Sequence, residues 1–311
     1  MSSPIDINPL PPEPTVASAP TPARAPKPPW LRIRLNTGPR FQEIRGLVQG
    51  LGLNTVCEEA RCPNIYECWD QRTATLMILG ETCTRRCGFC SVASGLPDAP
   101  DPGEPEKVAA AVATMGLRHA VITSVDRDDL PDGGAAHWAA VMRAVRARNP
   151  DCRIEVLVPD FKGKSGALEA VLAEHPAVFA HNVETVPRLY RTVRPGSIYQ
   201  HSLALLELAA RRRNGSGMRV KSNLMLGVGE EPGEVHGTMR DLVARGVEIL
   251  TIGQYLQPTP GQLPVSRYAP PEEFVDLARL GREMGFWHVE AGPLVRSSYH
   301  ASNHRPEEAE S

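Results

Sequence analysis

The sequence predicts an α/β fold: a partial (β/α)6 barrel of the TIM type, with a cysteine-bearing N-terminal extension and a C-terminal extension. Three observations predict it. From residue 74 onward, short β-branched runs alternate with stretches of helical period, and strands joined by such crossovers must be parallel. The 311 residues suffice for one barrel of this kind with additions. A composition of 41% hydrophobic and 23% charged residues excludes a disordered, collagenous or coiled-coil chain. The 34 Lys and Arg against 36 Asp and Glu leave a net charge of −2, which gives no global pull toward nucleic acid or anionic lipid. Neither nucleic acid nor membrane is expected as a partner.

Taken in order, residues 1–29 hold 10 of the 30 prolines among Ala, Ser and Thr. Such a segment buries too little apolar surface to offset its ordering entropy, so a disordered tail is expected. Residues 30–73 form the N-terminal extension. Within it Phe41, Ile44, Leu47, Val48 and Leu51 recur at helical spacing between Thr37 and Gly52. The barrel is placed at 74–255, with strands at 74–80, 118–123, 152–158, 178–183, 218–226 and 247–253. Helices are expected at 104–116, 134–148, 165–174, 184–191, 198–213 and 230–245. A helix at 271–285 and a strand at 286–291 follow in the C-terminal extension, 256–311. Chemistry in such a fold belongs at the carboxyl ends of the strands. No apolar run approaches the ~18 residues of a membrane span, and no secretion signal is visible, so a cytoplasmic location is expected.

In a reducing compartment the seven cysteines are not expected to form a disulfide framework. Cys83, Cys87 and Cys90 form a C-x3-C-x2-C run directly after the first barrel strand. Three thiolates so spaced can wrap one corner of a cuboidal cluster and leave one iron open. The alternatives are zinc or incidental cysteines, but a zinc site more often shows paired C-x2-C knuckles with a fourth ligand nearby. Upstream, Cys57, Cys62 and Cys68 form a C-x4-C-x5-C run. Two three-cysteine sets fit two clusters, the second serving electron relay or sulfur supply.

The first triplet, with Phe89 before its last cysteine, resembles the signature of the radical S-adenosylmethionine superfamily. The two triplets, Val121–Leu130, His181–Val186 and the run Arg296-Ser-Ser-Tyr-His-Ala301 together resemble the lipoyl synthase family over Trp30 to Ala301. The resemblance implies a radical sulfurtransferase acting in lipoate biosynthesis and protein lipoylation. Its cofactors would be two [4Fe–4S] clusters and S-adenosylmethionine. One cluster, on Cys83, Cys87 and Cys90, would bind S-adenosylmethionine and cleave it to a 5′-deoxyadenosyl radical. The other, auxiliary cluster would sit on Cys57, Cys62, Cys68 and a serine of the terminal run, Ser297 or Ser298, with Ser298 preferred. Two radical steps would place sulfur from that sacrificed cluster at C6 and C8 of an octanoyl chain on a carrier lysine. The implied partners are octanoylated lipoyl carrier domains (the glycine cleavage H protein and 2-oxoacid dehydrogenase E2 subunits), an electron donor such as ferredoxin or flavodoxin, and an iron–sulfur carrier protein for cluster repair. No catalytic acid–base set is expected, since an unactivated C–H bond offers no proton handle.

Five further residues are candidates for S-adenosylmethionine contact by position: Thr123, Ser124 and Asp126 after the second strand, and Asn182 and Glu184 after the fourth. For the first three the alternative is a helix cap without ligand. Lys221 is the sixth candidate. It shares one face of the fifth strand with Asn223, and a charge inside a strand needs a carboxylate of ligand or protein. Arg85 and Arg86 stand between cluster cysteines, where they tune the cluster, anchor a carboxylate or face solvent. Arg188, Arg191 and Arg194 recur at three-residue spacing, which would gather them on one helix face to guide an acidic carrier domain. Other readings are a methylthiotransferase-like enzyme with two clusters, which the terminal run disfavours, and a non-catalytic iron–sulfur or zinc carrier.

Overall fold

The computed structural model describes residues 26–33, 37–50, 52–59, 62–70, 74–213 and 216–301. The expected tail, through residue 25, lies outside the described residues. The N-terminal extension consists of a 3-10 turn at Pro29–Leu31, helix α1 (Pro39–Gly50), strand β1 (Asn54–Thr55) and helices α2 (Val56–Glu59) and α3 (Ile65–Asp70). Phe41, Ile44 and Val48 form the buried stripe of α1. Phe41 packs on Trp69 and Tyr66 of α3 at 5.2 and 5.3 Å between ring centroids, which fixes the helix that carries Cys68.

The barrel region begins at β2 (Thr75–Ile78), followed by the short pair β3 (Thr82–Cys83) and β4 (Ala93–Ser94). It continues through α4 (Glu104–Met115), β5 (His119–Ser124), α5 (Ala135–Arg148), β6 (Arg153–Leu157), α6 (Ala167–Leu172) and β7 (Val178–Ala180). Next come α7 (Tyr190–Val193), α8 (Tyr199–Arg212), β8 (Arg219–Leu226), α9 (Pro232–Ala244) and β9 (Ile249–Gln254); α10 (Pro271–Met284) and β10 (His288–Gly292) close the series.

The main sheet has the order β1-β2-β5-β6-β7-β8-β9-β10. Every neighbouring pair is parallel except β1 with β2. The six expected barrel strands are present, and β10 adds a seventh parallel strand beside β9. β2 and β9 are buried throughout, as parallel strands covered on both faces must be. The helices cover the outside. On α4, Val108, Val112 and Met115 face the core, and Gly116 at φ +62° ends the helix. On α10, a side chain at Gly281 would meet Val289 at 2.8 Å, so this helix lies close on β10.

The region expected as a helix at 184–191 folds differently. Glu184 has φ +65° and bridges to Leu224 of β8, so the chain stays extended there. Pro187 then opens a 3-10 turn, and only Tyr190–Val193 is α-helical. Arg188, Arg191 and Arg194 therefore do not share a helix face: Arg188 pairs with Glu234, Arg191 is exposed, and Arg194 lies past the helix end and is buried.

Candidate functional site

The loop carrying Cys83, Cys87 and Cys90 leaves the end of β2 through a left-handed turn. Leu79 holds φ +69°, with its N–H donated to the Glu104 carboxylate at 2.8 Å and its carbonyl receiving Arg127 at 3.3 Å. A bulky residue held in that region is strained, and such strain concentrates where geometry serves a site. The loop is then buttoned to the end of β5. Thr84 donates its N–H and hydroxyl to the Asp126 carbonyl at 3.1 and 3.0 Å, and its hydroxyl accepts from the Asp128 N–H at 3.1 Å.

Arg85 is buried and donates to both Asp128 oxygens at 2.9 Å, to Asp160 at 2.5 Å and to Ser197 at 3.0 Å. Of the readings left open for the two arginines, Arg85 anchors the loop on the protein's own carboxylates and Arg86 faces solvent. The backbone N–H groups of Arg85 and Asp126 point at the Cys83 sulfur, at 3.4 and 3.3 Å. On the far side, Gly88 donates to the Val193 carbonyl at 2.9 Å and accepts from the Leu263 N–H at 2.8 Å. A side chain at Gly88 would strike Leu263 at 2.7 Å.

The second triplet is built from the N-terminal extension. Cys57 lies on α2, Cys68 on α3, and the Cys62 N–H closes a turn onto the Cys57 carbonyl at 3.0 Å. Two contacts bring the C-terminal run onto this triplet: Asn64 donates to the Leu294 carbonyl at 2.8 Å, and Thr75 of β2 donates its hydroxyl to the Ser298 hydroxyl at 2.8 Å. Cys57, Cys62, Cys68, Thr75, Arg296 and Ser298 surround a small pocket, whereas Ser297 lines only the larger cavity beside it.

All six of these cysteines are free thiols. Burial, reinforced by Cys62, pushes the Cys57 thiol up to about 12, and burial pushes Cys87 to about 12 and Cys83, beside Asp126, to about 11. Thiols in such dry surroundings give up their protons to a metal rather than to water. Among the described residues, no three Cys, His, Asp or Glu side chains converge as around a single ion. Soft sulfur donors grouped in threes, with a hydroxyl beside the second group, fit two iron–sulfur clusters.

A cavity of about 520 Å³ opens at the carboxyl end of the strands and touches both triplets. Thr123, Ser124, Asp126, Asn182 and Glu184 all line it. Thr123 donates to the Leu157 carbonyl at 2.8 Å, and Ser124 accepts from Trp138 at 3.3 Å. Asp126 lies 3.4 Å from the Arg85 guanidinium, and burial pushes its carboxyl up from the usual range. Glu184 accepts from Asn182 at 2.9 Å and from Asn223 at 2.8 Å. Burial also raises its carboxyl.

Lys221 is not brought to this cavity. It is fully buried lower in the sheet, where its ammonium donates to Glu155 at 2.7 Å, and His119 completes the group at 3.2 Å. Two-residue alternation did place Lys221 and Asn223 on one face, but only Asn223, nearer the carboxyl end of β8, reaches the cavity.

Sequence reasoning missed the role of Arg194. This residue is 8% exposed, lines the cavity and donates to the Asn182 carbonyl at 2.6 Å and the Tyr190 hydroxyl at 3.2 Å. Its Nε has no hydrogen-bond partner among the described residues, and the acidic groups Glu184 and Asp126 act on it through space without forming an ion pair among those residues. A buried guanidinium with one N–H unpartnered and facing the cavity can receive an anion there. The signal was the Pro195-Gly196 pair, which ends the helix before Arg194 can join its face. Arg296, also unassigned, lines both the cavity and the auxiliary pocket.

Known proteins resemble this arrangement closely. The radical SAM superfamily matches residues 77–242, and the N-terminal domain of lipoyl synthase of that family matches residues 18–62. A lipoyl synthase of Rubrobacter xylanophilus is 57% identical over 275 residues, covering 88% of this chain and 85% of the relative. One from Acidithiobacillus ferrooxidans is 55% identical over 295 residues, covering 94% and 91%. Among solved structures, methylornithine synthase (PylB) aligns with a TM-score of 0.52 at 15% identity over 80% of this chain and 74% of its own. Streptococcus suis SuiB, bound to its precursor peptide SuiA, aligns at 0.55 and 12% identity over 74% of this chain, which spans about half (52%) of SuiB. These structural likenesses speak to the fold.

Proposed function

This chain belongs to the lipoyl synthase family of radical S-adenosylmethionine enzymes, and from that premise we propose that it inserts two sulfur atoms, at C6 and C8, into an octanoyl group carried on a lysine of a lipoyl carrier domain. The observation that carries this reading is the shared cavity: one chamber of about 520 Å³ touches both cysteine triplets. An alkyl chain inside it is within reach of a hydrogen-abstracting group on one side and a sulfur source on the other. On this reading residues 30–73 serve as the auxiliary-cluster extension, 74–255 as the barrel and 256–311 as the closing segment.

When bound, the clusters and S-adenosylmethionine supply the electron that cleaves the sulfonium and the sulfide that enters the product. The chain's own residues hold and orient them. Cys83, Cys87 and Cys90 hold one cluster. Cys57, Cys62 and Cys68 would hold the other, with Ser298 as the fourth ligand, a reading supported by its hydroxyl, which accepts from Thr75 beside this triplet. A hard oxygen on a soft iron–sulfur site is the weakest of the four bonds, which suits a cluster that is consumed.

Glu184, fixed by Asn182 and Asn223, accepts from the ammonium or ribose hydroxyls of S-adenosylmethionine, while Thr123, Ser124 and Asp126 border it. Arg194 receives its carboxylate. Met77, Val92, Leu157, Val158, Met225 and Leu256 give the chamber apolar walls that take the alkyl chain and exclude water and stray hydrogen donors. Lys221 has no place in this site and braces the barrel through Glu155.

The separation of the two triplets supplies the test. Anaerobically reconstituted Cys57→Ala protein, given reductant, S-adenosylmethionine and an octanoyl-lysyl peptide, still forms 5′-deoxyadenosine but adds no sulfur to the peptide. Sulfur insertion by that variant would remove the auxiliary site from the reaction.

A further inference from the structure

The small pocket between the upstream triplet and the closing segment is lined almost wholly by neutral or acidic groups. Cys57, Cys62, Cys68 and Ser298 are the ligands of the reading above, and Asn64, Thr75 and Tyr299 add neutral polar atoms. Arg296 is the one cation among the described residues that line it. Its side chain also lines the larger cavity, so this guanidinium stands at the passage from one chamber to the other. The mechanism given above leaves it without a task.

The closing segment holds Arg296 in place from both sides. Two residues before it the Leu294 carbonyl accepts from Asn64, and two residues after it the Ser298 hydroxyl accepts from Thr75, each at 2.8 Å. Beneath it lies Gly253, where a Cβ would stand 3.3 Å from Nη1 of Arg296. The same Nη1 donates to the Val295 carbonyl at 2.6 Å, and no carboxylate forms an ion pair with the guanidinium among the described residues. Two acidic groups act on it through space, Cys62 of the auxiliary triplet first and Glu184 of the larger cavity second. In turn, of the groups around Cys62, Arg296 favours its thiolate most.

A [4Fe–4S] core held by three thiolates and an alkoxide carries a net negative charge, and burying it calls for a counter-charge. Sulfur transfer adds a second demand. Each new C–S bond takes the carbon radical's electron and one electron of a sulfide, and the sulfide's other electron reduces one ferric iron to ferrous. The ease of reducing that iron therefore bears on the transfer, and a cation or N–H donor beside the sulfur atoms eases it. We propose that Arg296 serves the auxiliary site electrostatically: its guanidinium, held beside Cys62, supplies the counter-charge and an N–H donor to the sulfur atoms there, and so raises the reduction potential of the auxiliary cluster. This inference rests on the auxiliary-cluster reading given above.

The test isolates that site. Cys83→Ala/Cys87→Ala/Cys90→Ala protein, reconstituted anaerobically with iron and sulfide, holds the auxiliary cluster alone, about four irons per chain, and its midpoint potential is read by an EPR-monitored redox titration. Adding Arg296→Met moves the potential to more negative values, while Arg296→Lys, which keeps the charge, holds it near the parent's. In the otherwise wild-type, fully loaded protein, Arg296→Met leaves the affinity for S-adenosylmethionine unchanged. An unmoved potential in the Met variant overturns the proposal, as does an equal shift in Met and Lys, which makes the residue a seat for the segment rather than a charge. Lost S-adenosylmethionine affinity with the potential unmoved also overturns it and assigns Arg296 to the Glu184 side. If the Met variant takes up no iron but the Lys variant does, the counter-charge is upheld; if neither takes up iron while thermal unfolding is unaltered, it is overturned. A parent protein that itself takes up no iron brings down the auxiliary-cluster reading, and the proposal with it.

Discussion

At Arg194, a guanidinium that spacing alone assigned to a solvent face is held in the dark of the barrel mouth with an unpartnered Nε. Glu184 and Asp126 offset part of the cost of burying this cation, and the unpartnered Nε leaves a donor for a ligand anion to complete. The carboxylate of S-adenosylmethionine is the anion the reading supplies. Arg194→Met is expected to weaken S-adenosylmethionine binding roughly 10- to 100-fold, the worth of about 1.5–3 kcal/mol for a charged hydrogen bond, read by equilibrium titration of the cluster-loaded protein. Unaltered affinity would mean that Arg194 serves only the Asn182 turn.

The residue scale was also the most unevenly legible. Cysteines announce themselves, because their chemistry is rare and their spacing is local. Lys221 announced a buried charge, and its partner proved to be Glu155, 66 positions away in sequence. Burial alone would raise the Glu155 carboxyl, yet Lys221 and His119 hold it down at about 2. Nothing local in the sequence distinguishes such an internal pair from a ligand contact.

At the scale of elements, strands and helices of the barrel fall within a few residues of the expected spans, since apolar periodicity and Gly or Pro punctuation agree there. The one misread element, 184–191, failed because Glu184 adopts a left-handed conformation and bridges to β8. A glutamate carries no sequence mark of that. The closing segment was expected as an extension whose Ser298 joins the upstream triplet, an expectation the resemblance supplied, but what seats it there has no local sequence mark. A Cβ at Gly253, on β9, would collide with the Val295 carbonyl, so the absence of a side chain there is what lets Val295–Ser298 lie on the barrel. Gly253→Ala displaces that segment and with it Ser298. The variant is expected to retain S-adenosylmethionine cleavage while its iron content falls from about eight toward about four per chain, measured by iron and sulfide assay. Full iron content would separate the seat of the segment from the auxiliary cluster.

Over the whole molecule, the two ends of the open sheet are joined by side chains. β2 stands next to one end and β10 forms the other, and the hydrogen bonds from Thr75 to Ser298 and from Asn64 to Leu294 tie the segment following β10 back to β2 and the N-terminal extension. The cysteines of the extension and those of the barrel loop come together on one cavity in consequence. Fold class, the count of βα units and the cysteine sets were legible because each is written locally. The meeting of residues 57 and 298 was expected only through the family resemblance, since no local pattern writes a contact that depends on closure across the full chain.

The central claim is that both triplets act on one chain in that cavity. It is tested most directly by a single anaerobic turnover of reconstituted protein with reductant, S-adenosylmethionine and an octanoyl-lysyl peptide, with the peptide read by mass spectrometry. The account predicts a peptide that has gained two sulfur atoms, with S-adenosylmethionine cleaved once for each. Formation of 5′-deoxyadenosine with the peptide unchanged would contradict it, leaving a radical enzyme whose cavity serves another substrate.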